Sequence, residues 1–373
     1  MNRLIRLTGA ALLATCLLAA GLGAGTASAV PSVKKGIWGP VTVQGQSQFP
    51  IYRDLGVGVW ETQVRWSDVA PTRPAQPLDP ADPAYRWPAT LDQAATEAAQ
   101  SGIKVAVQLM GTPPWANGGR RWNFVPTRPS DFADFAEAAA RRYPTIKLWM
   151  VWGEPNRLAN FQPMVPETRG RTKLTPAQAR APRYYARMLD LTYGALKRVS
   201  PTNLVIGGNT HTVGEISPYN WIRYVKLPGG RRPRMDMWGH NPFSARKPDL
   251  SKPPNGPGPD VNYSDFSDLD TFAFVLDRHQ RDPRGRPLRL FLSEFFLPTD
   301  HRNWEFPFYV TRATQASWLT LAYRIARRWN RIYTLGWIGL YDDAPRRDGR
   351  EVNRGLIDPA GRHKPSYNAY KRS

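Results

Sequence analysis

Cysteine is almost absent from this sequence, since the 373 residues contain only Cys16. The chain beyond the N-terminal region therefore has no thiol that can form a disulfide or a thiolate metal site. Histidine is also scarce, with five residues, and none stands with carboxylates at the spacing of metal ligands. We predict that the protein has no metal site.

Long apolar runs are missing apart from one near the N-terminus, from Ala10 to Leu22. Arginines precede this run and Ala27-Ser28-Ala29 follows it, which is typical of a cleaved secretory signal peptide covering residues 1–29. We therefore expect a secreted protein whose mature chain, residues 30–373, is not inserted in a membrane. A lipoprotein anchored through Cys16 is the less favoured alternative, because Thr15 is a poor fit before a lipidated cysteine.

Acidic residues are outnumbered, with 30 Asp and Glu against 51 Lys and Arg. The net charge is +21, and removing the two signal-peptide arginines leaves +21 − 2 = +19. Either the charge is spread over helix faces, the reading we favour, or it attracts an anionic polymer such as a polysaccharide. No nucleic-acid-binding motif is present, so nucleic acid is not an expected partner, and we expect a monomer.

Strand-like apolar runs alternate with helical patterns along the mature chain, and eight such units occur. This alternation predicts a parallel sheet, and eight units favour a closed (β/α)8 TIM barrel as a single domain over an open sheet. Thr90 and Ser130 are the predicted caps of helices before and after the third strand. The predicted strands are 33–40, 59–64, 103–110, 146–154, 204–209, 235–239, 288–293 and 333–340.

The connections after strands two, three, four, six and seven are long and irregular, whereas most helix-to-strand connections are short. The long loops therefore lie at the carboxyl end of the barrel, where barrel enzymes have their active sites. Glu154 and Glu294 stand at that end, after strands four and seven. Two carboxyl groups about 5 Å apart are what hydrolysis of a glycosidic bond with retention requires.

Two short segments carry a specific resemblance: Trp152-Gly153-Glu154-Pro155-Asn156 and Ser293-Glu294-Phe295. They resemble the acid/base and nucleophile motifs of clan A glycoside hydrolases, retaining barrel enzymes that include β-xylosidase-like and cellulase-like families. The resemblance extends over nearly the whole mature chain in the order of its elements. It implies that Glu154 is the general acid/base, that Glu294 is the nucleophile and that no cofactor is needed.

One residue departs from the clan pattern, because Gly153 stands where the clan usually has an asparagine that holds the sugar 2-hydroxyl. Asn156 or Asn209 is a candidate replacement, or the glycone lacks the usual 2-hydroxyl arrangement. His240 and Asn241 match the clan's histidine-containing motif on strand six, which implies contact with the substrate.

Further substrate contacts are expected from Arg65 and from tryptophans. Arg65 resembles the strand-two arginine that supports the nucleophile in the clan, although a solvated loop charge is the alternative. Trp115, Trp152 and Trp337 are candidate platforms for stacking on a sugar ring, with core packing as the competing explanation.

The leading hypothesis is a secreted retaining glycoside hydrolase that acts on a polysaccharide or oligosaccharide. Tryptophans around Glu154 should desolvate its carboxyl group and, with the charge of Glu294, raise its pKa. Gly153 and the basic surface keep open a catalytically inactive carbohydrate-binding barrel. A lyase or hydrolase of anionic polysaccharides is a third alternative.

Overall fold

The computed structural model describes residues 32–168, 173–250, 263–302 and 306–373. Cys16 and the predicted signal peptide lie outside these ranges. Eight strands pair in parallel in chain order, and the eighth also pairs with the first, so the sheet closes into a barrel. The strands are β1 (Ser32–Trp38), β2 (Val57–Arg65), β3 (Lys104–Met110), β4 (Leu148–Val151), β5 (Leu204–His211), β6 (Met237–Asn241), β7 (Arg289–Phe295) and β8 (Ile332–Ile338). The predicted (β/α)8 architecture is confirmed.

Helices occupy the connections between these strands and pack their apolar faces against the outer side of the barrel. They are α1 (Phe49–Asp54), α2 (Ala89–Gln100), α3 (Pro129–Arg142), α4 (Arg180–Val199), α5 (Pro218–Tyr224), α6 (Leu269–His279), α7 (Arg312–Arg328) and α8 (Pro365–Arg372). A small antiparallel hairpin pairs Thr42–Val43 with Gln46–Ser47 before α1. None of the helices in the described ranges is long and apolar enough to cross a membrane.

The interior of the barrel is a separate apolar core, because alternate residues of each strand point inward. Its buried members come from seven of the strands, β2 to β8: Val59, Ala106, Leu148, Met150, Ile206, Met237, Phe291 and Tyr333. Most of the other apolar strand residues face the helices and belong to the larger outer core. The carboxyl end of the interior core is therefore the floor of the barrel mouth.

Local boundaries differ from the sequence-based expectations. Helix α2 begins at Ala89 and α3 at Pro129, and neither has a side-chain cap, so the capping roles predicted for Thr90 and Ser130 are wrong. The fourth strand ends at Val151, three residues before Glu154.

Loop lengths agree with the prediction. Most connections at the amino end of the barrel are short, as at residues 55–56, 101–103 and 329–331, although residues 225–236 form a longer one. Those at the carboxyl end are long: 66–88, 111–128, 152–179, 242–268, 296–311 and 339–364. The mouth of the barrel is therefore the elaborated end of the molecule.

Candidate active site at the barrel mouth

Glu154 lies on a tight turn that follows β4. Trp152 and Glu154 both have positive φ, 65° and 47°, a conformation that is costly for residues other than glycine. Several hydrogen bonds hold this turn. The Trp152 amide donates to the Leu109 carbonyl over 2.8 Å, and the Glu154 amide donates to the Asn209 carbonyl over 2.9 Å. Neighbouring strands therefore fix the backbone that presents the carboxylate.

The Glu154 carboxylate accepts hydrogen bonds from three side chains. Asn241, at the end of β6, donates to Oε1 over 3.0 Å. Arg157 and Asn160 donate to Oε2 over 2.9 and 3.2 Å, and the Arg157 contact is an ion pair. The imidazole Nε2 of His211 lies 3.9 Å from Oε1. The carboxylate is thus held on one side by the barrel and on the other by its own loop.

These contacts change the expected protonation of Glu154. Burial alone raises its pKa, but the charges of His211 and Arg157 and the hydrogen bond from Asn241 outweigh burial, so the net pKa is lowered. The expectation of a raised pKa is therefore wrong for this arrangement. The sequence-based reasoning counted the surrounding tryptophans and did not include Arg157, three residues further along the chain.

Glu294 lies on β7 beside an irregularity in the pairing with β8. Leu292 is opposite Leu335 and Phe295 is opposite Trp337, so β7 has one more residue than β8 over this interval. Such a bulge re-aims side chains. Leu292 and Phe295 both pack in the outer core, which places Ser293 and Glu294 between two outward-facing residues. Both residues influence Glu61, an interior residue of β2: the Ser293 hydroxyl donates a hydrogen bond to its carboxyl group, and the charge of Glu294 raises its pKa.

Glu61 is a third carboxyl group, buried to 1% exposure directly beneath the mouth. Its Oε2 accepts a hydrogen bond of 2.8 Å from the Ser293 hydroxyl. The indole of Trp38 donates to the Ser293 carbonyl over 3.0 Å and completes this link between β1, β2 and β7. Burial raises the pKa of Glu61 well above its usual value, the Ser293 hydrogen bond opposes that rise, and the charge of Glu294 adds to it.

Arg65 is exposed at the end of β2, and its guanidinium lies 4.6 Å from the centre of the Trp122 ring. Among the described residues, the side chain that contacts Glu61 and Ser293 from β1 is Trp38. Trp38 and Glu61 thus support β7 beside Glu294, and the role expected for Arg65 stays a prediction.

The three tryptophans predicted to stack on sugars differ in exposure. Trp152 and Trp337 are fully buried, and their indole nitrogens donate to the carbonyls of Asn160 and Arg354. A stacking platform needs an exposed ring face, so both are core residues in this structure. Trp115 is half-buried, donates to the Ala70 carbonyl and is covered by the Arg73 guanidinium at 4.6 Å.

The predicted polar substrate ligands also lie in buried positions. The Asn156 side chain exchanges hydrogen bonds with the backbone of His211 and donates to the Ile216 carbonyl. Asn209 donates to the carbonyls of Val151 and Trp152 and thereby clamps the turn before Glu154. Both amides support the loops at the mouth.

His240 is fully buried and stacks on Phe272 with ring centroids 4.2 Å apart. Its Nε2 donates to the Ser264 carbonyl over 3.0 Å, so its Nδ1 accepts from the Thr210 hydroxyl over 2.9 Å. Burial lowers the pKa of His240 to about 4, which keeps the ring neutral. His240 anchors the loop after β6, while its neighbour Asn241 is the residue that reaches Glu154.

Sequence reasoning missed Trp38, Glu61, Gln108 and Arg157 as members of this region. Glu61 follows Val59 by two residues on one strand, and Gln108 follows Ala106 by two residues on another. Because alternate residues of a strand face the same side of the sheet, this spacing could have identified Glu61 and Gln108 as interior residues. In the described part of the chain, no group of three or more His, Cys, Asp and Glu side chains is placed to hold a metal ion.

Comparison with known proteins gives structural neighbours only. Neither the models of known protein families nor the curated protein sequences yield a match. The fold is similar to a family 39 glycoside hydrolase from Bacteroides cellulosilyticus WH2, with a TM-score of 0.64, 16% identity and coverage of 92% of this chain and 63% of that one. It is also similar to a monomeric β-xylosidase from Caulobacter crescentus CB15, with a TM-score of 0.58 and 17% identity over 92% of this chain and 69% of that chain.

Another solved structure of similar fold is xylanase 10B from Thermotoga maritima, with a TM-score of 0.56 and 14% identity over 91% of this chain and 94% of that chain. At such identities the likeness establishes the shared TIM-barrel fold. The present chain spans less than two thirds of the length of the family 39 structure from Bacteroides.

Proposed function

We propose that this protein is a retaining glycoside hydrolase in which Glu154 is the general acid/base and Glu294 is the nucleophile. The observation that carries the proposal is the hydrogen bond from Asn241 on β6 to Glu154, because β6 is the strand next to β7, which bears Glu294. This contact supports the placement of both carboxyl groups, one after β4 and one on β7, at the same mouth. This is the pairing that double displacement at an anomeric carbon requires.

In the first step, Glu294 attacks the anomeric carbon while Glu154 gives its proton to the leaving glycosidic oxygen. The products of this step are the free aglycone and a glycosyl ester on Glu294. In the second step, Glu154 takes a proton from water, and the resulting hydroxyl attacks the anomeric carbon and releases Glu294. Side chains of this chain perform both steps, and the reaction needs no cofactor.

The substrate class proposed is a polysaccharide or oligosaccharide, processed outside the cell by a secreted monomer. Support comes from the N-terminal sequence pattern and from the activities of the structural neighbours, which include a β-xylosidase and a xylanase. An anionic polysaccharide is included because the net charge is +21.

Trapping with a panel of 2-deoxy-2-fluoro glycosides tests this proposal. We expect a covalent glycosyl adduct on Glu294, found by mass spectrometry of peptides, and loss of turnover of roughly 10⁴-fold or more in the Glu294→Ala variant. The matched control is Glu97→Gln, a carboxylate on α2, which should retain activity. Labelling at another residue, or substantial turnover by Glu294→Ala, would refute the assignment.

A carbohydrate-binding protein without catalysis is the second candidate, and one observation favours it. The ion pair with Arg157 keeps Glu154 ionised, and an ionised carboxylate has no proton to give. Binding of oligosaccharides by the wild-type protein, with no hydrolysis of any glycoside between pH 4 and 8, would support this candidate.

A further inference from the structure

Gly153 separates Trp152 from Glu154, and its backbone does not need a glycine. Its neighbours Trp152 and Glu154 have positive φ, whereas Gly153 is not among the residues with that conformation. What excludes a side chain at this position is a neighbour. A Cβ atom on Gly153 would lie 2.5 Å from Oε1, 2.8 Å from Cδ and 3.1 Å from Nε2 of Gln108. The two contacts below 3.0 Å are shorter than real Cβ atoms make, so a side chain at 153 would require the Gln108 carboxamide to move.

The Gln108 carboxamide lies nearly as close to the Cβ point of residue 153 as the amide of an asparagine at that position would lie to its own Cβ. In an asparagine, the terminal oxygen and nitrogen lie about 2.4 Å from Cβ, from ordinary bond lengths and angles. The Gln108 carboxamide surrounds the same Cβ point at 2.5 to 3.1 Å. The adjacent strand therefore presents an amide group, that of Gln108, next to position 153.

Gln108 reaches this point from the interior of the barrel. It lies on β3 opposite Met150 of β4, and it follows the interior residue Ala106 by two positions. Its side chain is 3% exposed. No hydrogen bond joins the Gln108 carboxamide to any other described residue, whereas the Asn156 and Asn209 amides are engaged with backbone groups. Gln108 thus has an amide available beside Glu154.

On this geometry, and resting on the glycosidase function proposed above, we propose that Gln108 binds the glycone hydroxyl adjacent to the anomeric carbon. A carboxamide offers both a donor and an acceptor to a hydroxyl group. In glycoside hydrolysis, hydrogen bonds to that hydroxyl strengthen in the transition state. Gly153 and Gln108 form a complementary pair in which the small residue admits the long one.

The test uses two substrates that differ in one group. For the aryl glycoside that the wild-type protein hydrolyses fastest in a panel, kcat/KM is compared with that of its 2-deoxy counterpart. Gln108→Ala should lower kcat/KM about 100-fold on the hydroxylated substrate, by analogy with removal of one transition-state hydrogen bond, and change it less than about threefold on the 2-deoxy substrate. Gln100→Ala, an exposed glutamine on α2, is the control.

Relocation of the amide gives a second arm. Gly153→Asn alone should lower Tm because its side chain meets Gln108, and the double variant Gln108→Ala with Gly153→Asn should recover Tm. On the hydroxylated substrate, kcat/KM of the double variant should be at least about tenfold higher than that of Gln108→Ala. No such recovery is expected on the 2-deoxy substrate.

Equal losses on both substrates, or an unchanged kcat/KM in Gln108→Ala, would overturn the role of Gln108 while leaving the glycosidase assignment intact. A wild-type protein that hydrolyses no glycoside in the panel would overturn both proposals together.

Discussion

Arg157, after His211, is the residue whose charge lowers the pKa of Glu154 against the sequence-based expectation. Its guanidinium is 2.9 Å from the carboxylate, while its own side chain is 38% exposed. A long, partly solvated side chain can leave the carboxylate when a sugar enters the mouth. In the proposed mechanism the ion pair stabilises the ionised form of Glu154 that activates water, and it must weaken before Glu154 can donate a proton.

Replacing Arg157 by Met should move the alkaline limb of the pH profile. The limb of kcat/KM reports the pKa of the general acid in the free protein, and activity is lost as pH rises through that pKa. Because Arg157 lowers the pKa of Glu154, its removal should shift the limb upward by about one pH unit. Arg286→Met, whose partner is Asp282 before β7, is the control and should leave the limb in place. A limb that is unmoved or shifted to lower pH would contradict this role.

Glu61 gives a prediction about stability. Its native pKa lies above its usual value of 4.5, so the native state binds a proton that the unfolded chain releases as pH rises. Unfolding free energy should therefore fall with pH above about 4.5, at about 1.4 kcal/mol per pH unit while native Glu61 stays protonated. Glu61→Gln removes this dependence, and its amide oxygen still accepts from Ser293. Denaturant titrations should show that the unfolding free energy of Glu61→Gln increases relative to that of wild type between pH 5 and 7.

If wild type and Glu61→Gln differ in unfolding free energy by the same amount at every pH, native Glu61 is ionised and the prediction is wrong. Activity supplies an independent check at neutral pH. A protonated carboxyl and an amide are both neutral, so the Gln variant should keep kcat within about threefold, whereas an Ala variant should not, because it leaves the Ser293 hydroxyl without an acceptor.

At the residue scale, sequence reasoning found the two glutamates because each follows an apolar strand at a barrel end. It could not interpret Gly153, since the residue that explains it, Gln108, is on another strand and separated from it by the whole of α3. It also overrated Trp152 and Trp337, because an aromatic residue near a strand end faces the mouth or the helices depending on the twist and bulges of the sheet.

At the scale of elements, the ends of β4 and β5 are tied together. A register shift between Gly207 and Thr210 marks a bulge in β5, and Asn209 within it has a φ of 45°. The Asn209 amide donates to the Val151 and Trp152 carbonyls, and its own carbonyl accepts from Glu154. The bulge therefore sets the position of the acid/base candidate.

Asn209→Ala should damage both stability and activity. It removes buried hydrogen bonds to two carbonyls, at a cost of about 1–3 kcal/mol, and it frees the turn that carries Glu154. Misplacement of the carboxylate should lower kcat/KM about 100-fold. The control is Asn203→Ala. Asn203 is equally buried and lies just before the amino end of β5, where its amide donates to the Leu196 carbonyl of α4.

The two variants separate a folding effect from a positioning effect. Both should lower Tm, but only Asn209→Ala should lower kcat/KM at a temperature where both are fully folded. An equal fall in activity in the two variants would mean that Asn209 acts through stability alone.

The strand order and the loop asymmetry were predictable because they depend on patterns that repeat along the chain. The predicted fourth strand ran to Glu154, but the paired segment stops at Val151. Hydrophobicity does not reveal this end, since Trp152 is as apolar and as buried as a strand residue. The caps expected at Thr90 and Ser130 failed because each helix begins earlier than predicted: Pro88 is itself the N-cap of α2, and Pro129 is the first residue of α3.

At the scale of the whole molecule, basic residues exceed acidic ones by 51 − 30 = 21. Many carboxylates are already paired at the surface, as in Arg234–Asp190 and Arg286–Asp282. Pairing of this kind neutralises equal numbers of each sign, so a surplus of arginine and lysine remains whatever the pairing. That surplus produces a positive field whose reach depends on salt.

Salt dependence should distinguish a field that serves binding from one that is incidental. Between 0.1 and 1 M salt the Debye length falls from about 10 to about 3 Å. If the substrate is an anionic polysaccharide, the affinity of the Glu294→Ala variant for polygalacturonate should weaken by roughly tenfold over that range, because screening removes attraction from cations beyond the mouth. Affinity for neutral xylan, measured on the same variant, is the control and should change little. The opposite outcome is tight xylan binding that does not depend on salt, together with no binding of polygalacturonate. It would show that the positive charge lies on the outer helix faces and that the mouth binds a neutral sugar.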